Sequence, residues 1–274
     1  MRLNLLPLTK AVVSDKIQII NQRGFIMPKG LQKYLRLQAM PTPFCPGCGH
    51  GMLMTAILHA IDEAGLDINN MVFVSGIGCA GWIPSPHFNA DTLHTTHGRP
   101  IAFATGVKLA NPELKVVVIS GDGDLASIGG NHLIHAARRD MPITVICANN
   151  SIYGMTGGQA SSTTPIDAIS KTTPSGNIER PFDLCRLVGA SGAGYVARYS
   201  VVPLKPLIKS IITALNHNGF SFIDVLSPCP TYFGRMNKMK RPVDMFDDLK
   251  KRCKKIKKGE KSEEGVIPIG VFVE

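Results

Sequence analysis

The stretch KVVVISGDGDLASIGG (residues 115–130) sets a carboxylate between two glycines, Gly121-Asp122-Gly123, directly after an apolar run. A glycine turn leading from a strand into a helix brings backbone N–H groups and the positive helix end to one point, which suits a diphosphate. Asp122 would repel that anion unless a cation lay between them. Mg2+ commonly fills that position, bridging a carboxylate and phosphates through oxygen ligands. A second oxygen donor follows the next apolar run, PITVICA, at Asn149-Asn150. If the two runs are adjacent parallel strands, Asp122 and Asn150 emerge at the same end and can hold one metal. GDG and NN are each common turn sequences. The 25 residues between them, with both just after buried strands, make the combination specific.

Cys45, Cys48, Cys79 and Cys229 are a second candidate set, each in turn-like surroundings rich in Gly or Pro (CPGCGHG, GIGCAGW, SPCPTYF). Alone, Cys45-x-x-Cys48 fits zinc as well as iron. Cys79 lies 31 residues after Cys48, and Cys229 lies 150 further on. That dispersion is unlike a local zinc finger and fits a site built between elements of a folded domain. Cys147 (ITVICA) and Cys185 (FDLCRLVGA) read as buried small hydrophobes, and Cys253 lies in a lysine-rich stretch. An odd total of seven cysteines in 274 residues argues against a disulfide scaffold. His132 and His135 stand one helical turn apart, as metal ligands can, but no further ligand is evident nearby. They read as packing or hydrogen-bonding groups.

Alternating strands and helices must position these groups. MLMTAILHAIDEAG is a helical pattern stopped by Gly65, and MVFVSGIG is a short strand ending in glycines. A Pro/His-rich loop, GWIPSPHFNADTLHTTHG, leads to a helix in RPIAFATGVKLAN. KVVVIS is a strand buried on both faces, DLASIGGNHLIHAARRD a helix, and PITVICA the next strand, giving one βαβ unit. Residues 151–180 are rich in Gly, Ser and Thr with little periodicity, and a loop this long in a compact domain is usually functional. RPFDLCRLVGASG and PLKPLIKSIITALNHNG read as helices, and GYVARYS and FSFIDVLSP as strands. The fold expectation is an α/β doubly wound, mainly parallel sheet. Residues 1–36 read as an N-terminal extension, 37–234 as the α/β domain, and 235–274 as a basic tail ending in a short apolar run that could close the sheet.

Hydrophobic residues make up 44% and charged residues 18%, enough for a sizeable core and against global disorder. The net charge of +10 suggests nucleic acid or a membrane surface, but residues 235–258 alone carry +8 of it. The basic character belongs to that segment, either as a solvated block or as a surface for an acidic partner. No apolar run reaches the ~18 residues of a membrane helix. The start, MRLNLLPLTKAVVSDK, is interrupted by Pro7, Lys10 and Asp15 and does not read as a signal peptide. The expectation is a soluble, cytoplasmic protein with neither nucleic acid nor membrane as partner.

GDG followed by about 25 residues and NN resembles the Mg2+–diphosphate motif of thiamine diphosphate enzymes. With CPGCGHG, GIGCAGW, LHTTHGRPIAFATG, GGNHLIHAARRD and NNSIYGMTGGQASSTTP, the chain resembles the β subunit of 2-oxoacid:ferredoxin oxidoreductases from about Met27 to Arg235. The resemblance implies the thiamine diphosphate-binding fold. It implies Asp122 and Asn150 as Mg2+ ligands through side-chain oxygens, with the Ile152 carbonyl as a third. Gly123, Asp124, Gly154 and Met155 would line the diphosphate end of the cofactor. Ile77, Gly78, Cys79 and Ala80, with Thr96, His97 and Gly98, would form its other walls. It also implies one 4Fe–4S cluster on Cys45, Cys48, Cys79 and Cys229, tuned by N–H groups of Gly49 and Gly81. Residues 1–26 then precede the matching region, as an extension or as sequence upstream of the translated start.

The activity implied is CoA-dependent oxidative decarboxylation of a 2-oxoacid to acyl-CoA and CO2, with electrons passed through the cluster to ferredoxin. Such enzymes activate the thiamine ring with a glutamate on a separate pyrimidine-binding domain. No comparable second domain fits in this chain, so an α subunit, with or without γ and δ subunits, is expected to carry it. WIPSPHFNADTLHTTHGRPIAFATG and CPTYFGR look most like 2-oxoglutarate-type subunits, ahead of 2-oxoisovalerate and pyruvate types. Trp82 stands where some relatives carry Lys or Arg, so a distal substrate carboxylate would be met by the partner subunit or by Arg99. A non-oxidative thiamine decarboxylase would leave the four dispersed cysteines unexplained. A zinc-stabilised nucleic-acid-binding protein would leave GDG…NN unexplained.

Overall fold

The computed structural model describes residues 29–239, 241–255, 263 and 265–274. Most of the predicted N-terminal extension and part of the basic segment lie outside the described residues. The strands are β1 (Met71–Ser75), β2 (Asp91–His94), β3 (Lys115–Gly121), β4 (Thr144–Asn149), β5 (Ile152–Tyr153), β6 (Gln159–Ala160), β7 (Tyr195–Ser200), β8 (Ser221–Leu226), β9 (Cys253–Lys255) and β10 (Ile267–Val273). The helices are α1 (Gly49–Glu63), α2 (Pro100–Ala110), α3 (Gly130–Arg138), α4 (Leu184–Ala190), α5 (Leu204–Asn216) and α6 (Pro242–Arg252). Among the described residues one sheet runs in the order β2-β1-β3-β4-β8-β7-β10-β9. It is parallel from β2 to β7, and β10 joins β7 antiparallel.

The central strands are buried on both faces, which their unbroken apolar runs require. In β3, Val117 and Ile119 enter one core with α1 and α5, while Val116 and Val118 enter the other with α2, α3 and α4. The helices therefore cover both faces, the doubly wound arrangement expected. Leu53, Met54, Ile57, Leu58 and Ile61 of α1 are all at most 1% exposed, each worth about 1.5–3 kcal/mol of burial. Among the described residues no helix is long and apolar enough to cross a membrane.

Three expectations are corrected. DTLH, read as loop, is the parallel edge strand β2, whose exposed ends gave no apolar signal. The single helix expected from Asp124 is a π-helical turn (Gly123–Ile128) followed by α3, with the break at Gly129. Residues 235–274, read as a tail, are folded where described: α6 leads into β9, and the apolar β10 completes the sheet between β7 and β9.

Candidate active site

Because β3, β4 and β8 are adjacent and parallel, Gly121-Asp122, Asn149-Asn150 and Ser227-Pro228 leave the sheet at one edge. β1 ends there too and delivers Gly76 to Cys79. Asp122 is 1% exposed. Its Oδ1 accepts the Asn150 N–H at 3.2 Å, and its Oδ2 accepts the hydroxyls of Ser161 at 2.5 Å and Thr163 at 2.6 Å. Burial pushes this carboxyl up from its ordinary pKa, opposed by those hydroxyls and by the Asn150 amide. A buried carboxylate in this state gains from a cation. The Asn150 Oδ1 accepts the Ile152 N–H at 3.1 Å, closing an Asx turn that aims Ile152 at the same space.

Asp124 also borders this space. Its carboxylate is turned inward and knits the walls together. Oδ1 accepts the Gly98 N–H at 2.7 Å and the Ile77 N–H at 3.4 Å, and also meets His97 Nδ1; Oδ2 accepts from Ser120 at 2.7 Å. Gly123 lies under the ring of Tyr153, whose hydroxyl donates to the Gly123 carbonyl at 3.0 Å. A Cβ at Gly123 would come within 2.5 Å of that ring, and one at Gly154 within 3.3 Å of Cys79 Sγ. Side chains at either position would fill the space.

All the predicted cofactor and Mg2+ residues except Thr96 and Gly98 border one cavity of about 80 Å3. Thr96 is exposed, and Gly98 is buried behind the wall. Met155, 57% exposed, stands at the mouth. Sequence reasoning missed Ser161, Thr163, Tyr153 and His50. The first two lie in a polar loop without periodicity, and only the loop's return onto Asp122 gives them a role. A larger opening of about 630 Å3 adjoins the cavity, bordered by Ser127, Tyr153, Ser161, Arg180 and Phe182.

The four turn cysteines border a second cavity, of about 180 Å3. Cys45 is exposed, while Cys48, Cys79 and Cys229 are half-buried, and all are free thiols. Cys48 caps the start of α1, Cys79 begins a turn after β1, and Cys229 follows β8. Burial pushes the Cys48 thiol up to about 12 and the Cys79 thiol up to about 11, and neighbouring thiols of the set add to both. The amides of His50 and Met155 favour the thiolates at Cys48 and Cys79 respectively. Those of Gly49 and Gly81, expected in that role, are committed to the carbonyls of Pro228 and Gly78 at 3.0 Å each. Among the described residues no three His, Cys, Asp or Glu side chains converge as they would on a single ion; the thiols ring a space instead. Cys147 and Cys185 are core residues, and Cys253 ends α6. His132 is half-buried and His135 exposed on α3.

The two cavities share a wall made of His50, Cys79, Asn150, Gly154 and Met155. His50 is 1% exposed, bonds Ser227 Oγ through Nδ1 at 2.7 Å, and is driven by burial down to about 4. A neutral imidazole therefore separates the carboxylate-and-glycine side from the thiol side.

Residues 76–225, more than half of the chain, match the family described as thiamine pyrophosphate enzyme, C-terminal TPP binding domain. The class defined by fold and site is thus the thiamine pyrophosphate enzymes. The chain is 52% identical over 244 residues to the 2-oxoglutarate synthase subunit KorB of Methanothermobacter thermautotrophicus, covering 88% of this chain and 85% of that one. It is 41% identical over 255 residues to the 2-oxoacid:ferredoxin oxidoreductase subunit beta of Saccharolobus solfataricus, covering 84% and 80%. A solved 2-oxoglutarate:ferredoxin oxidoreductase from Magnetococcus marinus, with 2-oxoglutarate, coenzyme A and succinyl-CoA bound, superposes with a TM-score of 0.79 at 32% identity, covering 89% and 84%. The chain belongs to the β subunits of the 2-oxoacid:ferredoxin oxidoreductase family.

Proposed function

We propose that this chain, with its partner subunits, oxidatively decarboxylates 2-oxoglutarate in the presence of coenzyme A. The products are succinyl-CoA, CO2 and two reduced ferredoxins. The observation that carries the reading is the shared wall: a diphosphate-type cavity and a four-thiol cavity meet at Cys79 and Gly154. Two-electron chemistry on one side and single-electron transfer on the other need that adjacency. Relatives near 50% identity named 2-oxoglutarate synthase subunits support the substrate.

The donor set fits the groups proposed. Asp122 and Asn150 would hold Mg2+ by side-chain oxygens and Ile152 by its carbonyl, the hard oxygen ligands this ion takes. Gly123 and Gly154 leave room for the diphosphate, and Asp124 keeps the walls made by Ile77, His97 and Gly98 in place. Bound there, thiamine diphosphate supplies the electron sink for decarboxylation. Cys45, Cys48, Cys79 and Cys229 would hold a 4Fe–4S cluster. Their soft thiolates suit it, the His50 and Met155 amides tune it, and binding releases thiol protons. Exposed Cys45 would bring that cluster to the surface, within reach of ferredoxin.

Apolar Ile178 (90% exposed) and Phe182 border the outer opening, and Met155 stands at the mouth of the smaller cavity. The partner subunit is proposed to cover them and to bring the pyrimidine-activating glutamate. Trp82 borders the thiol cavity, and the Arg99 guanidinium reaches the Gly98 carbonyl at 3.3 Å. Position 82 thus offers no cation, and recognition of the distal carboxylate falls to Arg99 or the partner subunit. A site built for a second carboxylate strongly rejects substrates lacking it. The assembled enzyme, purified anaerobically, is expected to contain iron and sulfide and to show kcat/KM for 2-oxoglutarate far above that for 2-oxoisovalerate or pyruvate. Comparable values would overturn the substrate, and zinc in place of iron would overturn the cluster.

A further inference from the structure

Beneath the metal-facing turn lies a run of buried polar groups that the reading above does not use. Arg198 on β7 and Asp224 on β8 are register partners, 7% and 1% exposed. Arg198 Nε donates to Asp224 Oδ2 at 2.7 Å, and Nη2 donates to Asp183 Oδ1 at 2.6 Å. Apolar residues of similar volume would often serve stability as well as a buried pair of this kind. What the pair does here is leave one carboxylate oxygen with a fixed direction. Asp224 Oδ1 accepts Asn149 Nδ2 at 3.0 Å, across to β4.

That bond settles which end of the Asn149 amide faces the site. Asn149 Oδ1 accepts the Ser151 N–H at 3.1 Å, reaching over Asn150. Ser151 sits at φ +59°, a left-handed conformation uncommon for a non-glycine residue. The Asn149 carbonyl accepts the Ser227 N–H at 2.7 Å. Asn150 is thereby clamped between two fixed neighbours, with its own N–H on Asp122. Thr163 lies across the gap. Its hydroxyl proton goes to Asp122 Oδ2 at 2.6 Å, with a weaker branch to Asn149 Oδ1 at 3.2 Å. One connected set of bonds thus runs from the sheet interior to both groups read as metal ligands.

We propose that Asn149, oriented by the Asp224–Arg198 pair, is a positioning residue for the Mg2+ that holds the diphosphate, and that Thr163 ties the same network to Asp122. Outer partners of metal ligands fix ligand direction and raise affinity without touching the ion. The inference rests on Asp122 and Asn150 being the ligands.

The test is retention of thiamine diphosphate by the assembled enzyme, measured by equilibrium binding across a Mg2+ series, with iron content and Tm read alongside. Asn149→Ala and Thr163→Val should each raise the Mg2+ needed for half-saturation about tenfold or more. Thr163→Ser, which keeps the hydroxyl, should return it to the wild-type value. Asp122→Ala should abolish the Mg2+ dependence. Wild-type behaviour in Asp122→Ala would remove the ligand reading itself. Loss in Asp122→Ala with unchanged half-saturation in Asn149→Ala and Thr163→Val, whatever their Tm, would overturn the positioning role alone. Should Asn149→Ala fail to assemble, the contrast between Thr163→Val and Thr163→Ser decides on the same readout.

Discussion

Asp122 and Asn150 leave the sheet on neighbouring parallel strands, and each is already engaged by hydrogen bonds from its own turn or from residues 161–163. Cys45, Cys48, Cys79 and Cys229 come instead from a knuckle before α1, a turn after β1 and a turn after β8, and burial and their neighbours hold Cys48 and Cys79 protonated. The oxygen side is shaped before anything binds. The thiol side is brought near to shape, and the cluster proposed there would have to displace thiol protons and would add to the order of the loops that carry it.

The largest expected effect breaks the oxygen side. Asp122→Ala should abolish thiamine diphosphate retention while leaving the fold intact, because the loss of a ligand must exceed the roughly 10- to 100-fold cost of losing an outer partner. Cofactor content after gel filtration reads this, and wild-type content would sink the assignment. On the thiol side, Cys229→Ser should lose the 4Fe–4S electron paramagnetic resonance signal or leave a three-iron cluster, with electron delivery stopped. Cys185→Ser, a core position, should keep the signal. A normal spectrum in Cys229→Ser would take that ligand away.

His50, on the wall between the sides, links the site to pH. Its folded pKa of about 4 lies below the ordinary 6.5, so the unfolded chain binds a proton that the folded chain refuses. Its contribution is fully present above about pH 6.5 and falls away as pH drops towards 4, by roughly 3 kcal/mol in all. Burial lowers His87 in the same direction. Denaturation midpoints across pH 4–7 should therefore slope less in His50→Gln than in wild type; identical slopes would exclude His50 as the source. The smallest effect concerns the basic segment, whose helix α6 starts against the cysteine knuckle at Gly47. Because the described part of the basic segment is folded, charge reversal tests it better than truncation. Lys251→Glu with Lys254→Glu, both exposed, should slow ferredoxin reduction a few-fold at low ionic strength and little at high. A rate and salt dependence equal to wild type would leave the segment as a subunit contact or a solvated surface.

How much of this was legible in the sequence follows the same division. The βαβ order, the two-sided burial of KVVVIS and the positions of Asp122 and Asn150 could be read because local pattern and tertiary role coincide there. Cys79 and Cys229 stood out through their turns, although only the fold puts 150 residues of separation into one cavity wall. The inward direction of the Asp124 carboxylate could not be read, because adjacency to Asp122 says nothing about direction; the π-helical turn points it at Gly98 and Ile77. Ser161 and Thr163 were invisible for a different reason: a hydroxyl in a Ser/Thr-rich loop acquires meaning only from what the loop folds back upon. β2 and β9 escaped because short, exposed strands carry no apolar period; α6 does carry one, through Met245, Phe246 and Leu249, but the charge around it dominated the reading.

Gly47, in the knuckle between Cys45 and Cys48, has φ +76°, and a Cβ there would run into the ring of Pro242 at the start of α6. Two loops almost two hundred positions apart are thereby joined in their history. A side chain can enter position 47 only after the proline has gone or the helix has shifted, and either change first loosens the basic segment from the cysteine knuckle. Descent with variation should keep this glycine wherever the proline stands.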